Sequence, residues 1–136
     1  MLHRIKELLD SDKNFSFETT LATKSYKNKI VEAKQKGYNV ILLFFWLESY
    51  ELAIERVKTR VLEGGHNIPK DVIKRRYFNG INNLFTIYLG IVDQALIFDN
   101  SEGNHVLIAE KSLSENIVIF EQEKFNLLLN YYEQRR

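Results

Sequence analysis

The longest apolar run of the chain, Val40 to Leu47, most limits the folds it can adopt. It is far too short to span a bilayer, which takes about 20 apolar residues. Because the run is continuous rather than alternating, Asn39–Trp46 is predicted as a strand covered on both faces. In a chain of 136 residues that is 45% hydrophobic and 27% charged, such a strand indicates a single α/β domain over residues 1–136.

Helical and extended segments alternate around this strand. The predicted helices are the N-terminal segment with Leu2, Ile5, Leu8 and Leu9, then Ser25–Lys36, Ser49–Leu62, Pro69 to about Gly90, and Glu121–Glu133. The other predicted strands are Phe15–Thr19, Ala95–Phe98, His105–Ala109 and Asn116–Phe120. The alternation predicts a mostly parallel sheet flanked by helices.

Ligands of such sheets bind beyond the carboxyl ends of the strands, so the residues there are the first candidates for a site. They are Glu18, Thr19 and Thr20, then Trp46, Leu47 and Glu48, then Asp99, Asn100 and Ser101. Glu18 could accept hydrogen bonds from a sugar hydroxyl or cap the next helix. Asn100 and Ser101 could read a nucleotide base or only form a turn. Trp46 could stack on a ring or belong to the core.

Positive charge is concentrated between Glu55 and Arg76. This segment holds seven basic residues against three acidic ones, a net charge of +4 in a chain whose total is +1. Two helices joined by a Gly64–Asn67 hinge could close Arg56, Arg60 and Arg76 over a polyanion such as a nucleotide phosphate. The alternative is a solvated basic face. His66 could donate to a phosphate or transfer a proton, or be an ordinary polar loop residue.

Composition argues against several classes of protein. The chain has no cysteine, and its three histidines lack metal-ligand spacing, which argues against a disulfide framework and against zinc. The net charge of +1 gives no overall field for nucleic acid or membrane, so nucleic-acid binding would depend on the basic segment alone. The N-terminus has no apolar h-region, so a cytoplasmic protein without a signal peptide is predicted.

The chain resembles the zeta-toxin-like P-loop kinases from about Ile5 to about Ile119. The segments that carry the resemblance are Phe15–Leu21, Gly37–Val40, Phe45–Ser49, Glu51–Val57, Arg60–Val61, Gly64–Pro69, Arg75–Tyr77 and Asp99–Ser101. No single segment identifies the family, but their order and spacing together do. The resemblance implies a P-loop kinase-like fold that phosphorylates a UDP-activated amino sugar with ATP and Mg2+.

The resemblance also implies roles for particular residues. Glu18 and Thr19 fall on the substrate side. Arg60 and Arg76 fall in a lid-like region, about residues 55–80, as the catalytic groups that neutralise the transferring phosphate. Three kinds of partner follow: a nucleotide or nucleotide-sugar ligand, an antitoxin-like protein, and a segment or second copy that completes the fold. The implied nucleotide-binding residues are Arg75, His66, Asn100 and Ser101.

One departure from the family limits these expectations. In the family, a strand, a Walker A loop, its helix and a second strand with an acidic general base precede the part seen here. The 136 residues contain no Gly-x-x-x-x-Gly-Lys-[Ser/Thr]. We therefore expect an incomplete kinase-like fold that is inactive alone, with a non-catalytic remnant or interaction protein as the alternative.

The missing Walker A strand has a structural consequence. It would lie between Phe15–Thr19 and Asn39–Trp46, so its absence exposes two apolar strand edges. We expect these two strands to pair directly, or the chain to dimerise. A third possibility is that an N-terminal segment on another polypeptide fills the gap.

Overall fold

A computed structural model describes residues 2–113 and 115–135. Its helices are α1 (Leu2–Asp10), α2 (Lys27–Gln35), α3 (Tyr50–Leu62), α4 (Lys70–Thr86) and α5 (Gln122–Arg135), with a 3-10 turn at Tyr88–Gly90. Its strands are β1 (Ile41–Trp46), β2 (Gln94–Asp99), β3 (Val106–Ser112) and β4 (Val118–Ile119). They form one sheet in the order β1-β2-β3-β4.

The α/β class with flanking helices is confirmed, and the sheet is mixed. Strands β1 and β2 are parallel, with Ile41 opposite Gln94 and Trp46 opposite Asp99. The pairs β2–β3 and β3–β4 are antiparallel. The chain between β1 and β2 is long enough for the helical crossover that parallel strands need, whereas only short turns separate the later strands.

The helix boundaries follow the predicted capping signals. The Ser49 hydroxyl accepts a hydrogen bond from the Leu52 amide at 3.2 Å, which begins α3. Pro69 immediately precedes α4. Gly64 has a φ of +97° just after α3, a conformation that costs glycine little and other residues more.

The core lies between one face of the sheet and helices α4 and α5. Ile97 and Ile108 of the sheet are 1% and 0% exposed, and they meet Leu84 of α4 and Leu128 of α5. Stacked and edge-on rings join the two helices. The ring centroids of Phe85 in α4 and Tyr132 in α5 are 4.9 Å apart. A smaller cluster holds α1 against α2 through Ile5, Leu9 and Ala33.

The other face of the sheet is exposed, so the predicted coverage of β1 on both faces is wrong. Trp46 is 1% exposed on the helical side, whereas the alternate residues Ile41, Leu43 and Phe45 are 51%, 49% and 48% exposed. Successive side chains of a strand point to opposite faces, so a continuous apolar run places apolar groups on both. We call this surface the bare face; its residues are Ile41, Leu43, Phe45, Leu96, Phe98, Val118 and Phe120.

The predicted strand Phe15–Thr19 is wrong: the segment is an irregular loop, mostly exposed. A strand needs a neighbour for its backbone hydrogen bonds, and among the described residues β1 is an edge strand that pairs only with β2. The expected direct pairing of these two segments is therefore also wrong. Within the described ranges, no helix is both long enough and apolar enough to cross a membrane.

Candidate functional site

The carboxyl ends of β1 and β2 meet α5 in an ionic cluster around the buried carboxylate of Asp99, with Lys124 and Glu48 partly exposed at its edge. Asp99 is 2% exposed, and the Lys124 ammonium donates to its Oδ2 at 2.6 Å and to Glu48 Oε1 at 3.2 Å. The Ser101 hydroxyl donates to the other Asp99 oxygen and accepts from the Glu48 amide at 2.9 Å. A buried carboxylate is costly unless its oxygens have such partners.

These contacts also decide the charge of the cluster. Burial alone would raise the pKa of Asp99, but the hydrogen bonds from Lys124 and Ser101, with the charge of Lys124, outweigh it and lower that pKa. The hydrogen bond to Asp99 is the largest cause that raises the pKa of Lys124. Both groups are therefore charged at neutral pH.

The turn after β2 is held from α3. The Arg56 side chain donates to the backbone oxygens of Asn100 and Ser101 at 2.8 and 3.0 Å. The backbone N–H of Asn100 donates to the backbone oxygen of Trp46 at 2.8 Å. The side-chain oxygen Oδ1 of Asn100 is buried and has no hydrogen-bond partner within the described part of the chain. Asn100 and Ser101 thus stand at the carboxyl ends of two adjacent parallel strands, where ligands bind in such sheets.

A second set of contacts ties β1 to α4. The Tyr77 hydroxyl donates to Leu47 O at 2.6 Å and accepts from Trp46 Nε1 at 3.0 Å. Burial raises the pKa of Tyr77, so the hydroxyl stays protonated and keeps both roles. Trp46 is therefore a core residue that orients the strand end.

We expect Tyr77→Phe to lower the free energy of unfolding by about 2 kcal/mol, because it leaves a buried indole N–H without an acceptor. Urea denaturation measures the change. Tyr50→Phe is the control, since no hydrogen bond of its hydroxyl is seen among the described residues, and its ring contact with Lys74 is kept. Equal midpoints for the two variants would contradict the role given to the Tyr77 hydroxyl.

A cavity of about 450 Å3 lies between the loop before α2 and the middle of α4. The loop contributes hydroxyl groups and the helix contributes guanidinium and amide groups. The lining residues are Thr19, Thr20, Ala22, Thr23, Tyr26, Arg75, Arg76 and Asn79. The structure therefore brings Thr19 together with Arg75 and Arg76, which are more than 50 positions away in the chain.

The lining favours an anionic ligand that carries oxygen atoms. Guanidinium groups bind phosphate and carboxylate oxygens through paired hydrogen bonds, and hydroxyl groups add further donors. Arg75 and Arg76 are exposed, and neither side chain makes a salt bridge or hydrogen bond among the described residues. Their charges are therefore available to a ligand.

Five predicted residues lie outside this cavity lining: Asn100 and Ser101 at the strand ends described above, and three exposed residues. Glu18 is exposed on the same loop, one position before Thr19. Arg60 is exposed near the end of α3, where its backbone oxygen accepts from the Gly65 amide at 2.7 Å. His66 follows in the exposed connection to α4. The structure does not gather these three side chains into one site.

Some residues of these sites were not predicted from the sequence. Asn79 lines the cavity, and Lys124 is the ion-pair partner of Asp99, which was itself one of the strand-end candidates. A signal for Asn79 was present, since Arg76, Asn79 and Asn83 are spaced three and four residues apart and share one helical face. Lys124 had no such signal, because an amphipathic helix normally carries lysine on its solvent side.

The described residues do not form a Mg2+ site. No group of three or more acidic or histidine side chains within residues 2–113 and 115–135 could hold a metal ion. The buried carboxylate of Asp99 is already bound by Lys124 and Ser101. Magnesium in phosphoryl-transfer sites is held by one or two carboxylates together with waters and substrate phosphates, so binding here would need ligands from the substrate as well.

The chain matches the family model described as "Zeta toxin" over residues 3–124, nearly its whole length. It is also similar to an uncharacterized protein of Haemophilus influenzae, with 36% identity over 63 residues, which are 46% of this chain and 45% of that protein. The chain thus aligns with less than half of the curated relative that it matches. No solved structure is a significant match. The extent of the family match shows that this chain belongs to the zeta toxin family.

Proposed function

We propose that this chain supplies the substrate-binding and phosphate-neutralising part of an ATP-dependent kinase that acts on a nucleotide-sugar type of small molecule. The observation that carries the proposal is the cavity that joins Thr19 to Arg75 and Arg76. The family resemblance assigns these residues to the substrate side and to the lid-like region. Membership of the zeta toxin family supports a kinase-like reaction.

Each residue has a role in this proposal. Phosphoryl transfer spreads negative charge over the oxygens of the moving group, and positive side chains lower the free energy of that state. Arg76 and Arg60 are the proposed catalytic arginines. Arg75 and His66 bind nucleotide phosphates. Thr19 and Glu18 hold a substrate hydroxyl. Asn100 and Ser101 lie beside the nucleotide base.

The parts that bind ATP and Mg2+ come, in this proposal, from a strand–loop–helix segment outside the 136 residues. The segment's strand would pair with the free edge of β1, and its helix would cover the bare face. The β1–β2 pair is parallel, and parallel strands are normally covered on both faces. The half-exposed side chains of Ile41, Leu43 and Phe45 therefore support the proposal of a missing cover.

A second copy of the chain meets these needs less well. If two copies paired along β1, the sheet would be continuous, but both bare faces would stay exposed. If the copies packed face to face, the bare faces would be covered and both β1 edges would stay unpaired. One strand–helix segment satisfies the edge and the face together.

The double variant Arg75→Ala/Arg76→Ala tests the cavity. We expect titration calorimetry to detect saturable binding of a UDP-activated amino sugar by the wild-type chain. The double variant should bind roughly 100-fold more weakly, because each charge-assisted hydrogen bond contributes about 1.5–3 kcal/mol.

Lys58→Ala/Lys70→Ala is the matched control, since it removes the same charge from exposed positions that do not line the cavity. Its affinity should stay within about twofold of the wild type, because exposed charges at a distance are screened by salt. If both double variants lost affinity equally, a general basic surface rather than the cavity would be responsible for binding.

The second candidate is a non-catalytic interaction protein of a toxin–antitoxin-like system. The observation that favours it is the apolar bare face beside a free strand edge, since large exposed apolar patches mark interaction sites. In this case the chain would bind neither the nucleotide sugar nor ATP, whatever segment covers β1.

A further inference from the structure

The cavity loop contains a residue in an unusual backbone conformation. Leu21 has a φ of +62°, in the left-handed region, and its side chain is only 5% exposed. A residue with a branched side chain is disfavoured there and persists only when its surroundings hold it. The hydroxyl-bearing residues Thr19, Thr20 and Thr23 lie on either side of it.

Two buried side chains hold this loop through its backbone oxygens. The Asn83 side-chain amide donates to Leu21 O at 2.9 Å, and the Tyr88 hydroxyl donates to Thr23 O at 2.7 Å. Asn83 is 3% exposed and Tyr88 is 0% exposed, so the Asn83 hydrogen bond is buried and that of Tyr88 is partly buried. The conformation of the loop is thus fixed from α4 and the turn that follows it.

The loop also lies directly against the helix. A Cβ atom at Gly80 would be 2.8 Å from Thr20 O, closer than such contacts occur in proteins. Glycine at this position therefore permits the approach of the loop backbone to α4. Gly80 is one helical turn from Arg76 and three residues before Asn83.

We propose that Asn83 is a positioning residue that fixes the threonine hydroxyls opposite Arg75 and Arg76, so that they hold a phosphate group together. One stripe of α4 carries Arg76, Asn79 and Asn83, because residues three and four positions apart share a helical face. The same helix thus provides the charges and holds the loop that completes the cavity. This inference rests on the proposed substrate-binding function of the cavity.

Pyrophosphate is the probe, and the variants are Asn83→Ala and, as a milder change that keeps a donor, Asn83→Ser. Ile108→Val is the control, since it weakens a buried part of the core that is not in the cavity lining. Calorimetry gives the affinity, and hydrogen exchange gives the protection of the backbone from Thr19 to Thr23. Thermal unfolding identifies variants that are folded at the temperature of the titration.

We expect Asn83→Ala to bind pyrophosphate at least about tenfold more weakly than the wild type, because a less ordered site loses preorganisation. Amide exchange in the loop should become faster in this variant, with a smaller change in Asn83→Ser. The control should lower the melting temperature and leave both the affinity and the loop exchange unchanged, which separates positioning from general stability.

Two other results are distinguishable. Unchanged loop exchange and unchanged affinity in both Asn83 variants would overturn the positioning role. Faster loop exchange in a chain whose wild type binds no pyrophosphate would refute the proposed function of the cavity and leave Asn83 as the residue that holds the loop. If Asn83→Ala does not fold, Asn83→Ser decides both points.

Discussion

Lys124→Met is expected to lower the free energy of unfolding by about 3 kcal/mol. The substitution keeps the length of the side chain and removes the ammonium group that binds Asp99 at 2.6 Å. Asp99 is 2% exposed, so its carboxylate would be left buried without a counter-charge. Although Lys124 is partly exposed, its removal costs more than the pair contributes, because the Asp99 carboxylate remains desolvated.

Chemical denaturation of the variant and of a matched control measures this effect. Lys58→Met removes an exposed partner of Glu55, 3.5 Å away, and should change stability by no more than about 0.5 kcal/mol. Adding Asp99→Asn to Lys124→Met should restore part of the loss, since it removes the unpaired charge. Similar losses for the two lysine variants would contradict the role of the buried pair.

The pH dependence of stability gives the same cluster a second readout. The pKa of Asp99 is lower in the folded chain than its ordinary value of 3.8, so the folded state favours the ionised form. The resulting stabilisation of the folded state is fully present when the pH is above the ordinary pKa. It is lost as the pH falls through the lower pKa of the folded chain. Wild-type stability should therefore fall more steeply below about pH 4 than that of Asp99→Asn.

The second large effect is expected when the proposed missing segment is supplied. A strand–Walker A–helix segment from a complete zeta-toxin-like kinase, joined ahead of Met1, should increase affinity for ATP with Mg2+ by at least about 100-fold. Backbone N–H groups and the lysine of that loop bind phosphates, which the 136 residues alone do not provide through such a motif. Calorimetry with and without the segment measures the gain.

The same experiment separates the two candidate functions. Replacement of the segment's own P-loop lysine by methionine is the control, because it keeps the cover and removes the phosphate contact. Amide exchange over Ile41–Trp46 should slow in both fusions as the β1 edge becomes paired. Slower exchange without ATP binding in the unmodified fusion would favour the interaction protein over the kinase.

Local signals predicted most helices and strands of this fold. Ser49 begins α3 and Gly64 follows its end, as capping chemistry requires, and Pro69 precedes α4. The strand predicted at Phe15–Thr19 did not form, because a strand depends on a partner that its own residues do not specify. Local patterns describe what a segment can form, and pairing decides whether it does.

The candidate site was predictable in its residue types more than in its arrangement. The family resemblance pointed to Arg75, Arg76 and Thr19, and the cavity brings them together. Their meeting depends on contacts of Leu21 and its loop with Gly80 and Asn83 of α4, which are about 60 positions away in sequence and which no motif connects to the loop. The roles proposed for Arg60 and His66 stay predictions, because their exposed positions require a closure that the sequence does not define.

The edge strand β1 also has consequences for how much of this protein a cell can keep in folded form. Its six residues, Ile-Leu-Leu-Phe-Phe-Trp, include no charge and no proline, the residues that usually protect an edge from aggregation. An uncovered copy offers a template for cross-β assembly and a binding site for chaperones. The steady-state level of the chain should therefore follow the supply of whatever segment covers β1, so that synthesis of the two parts must be matched.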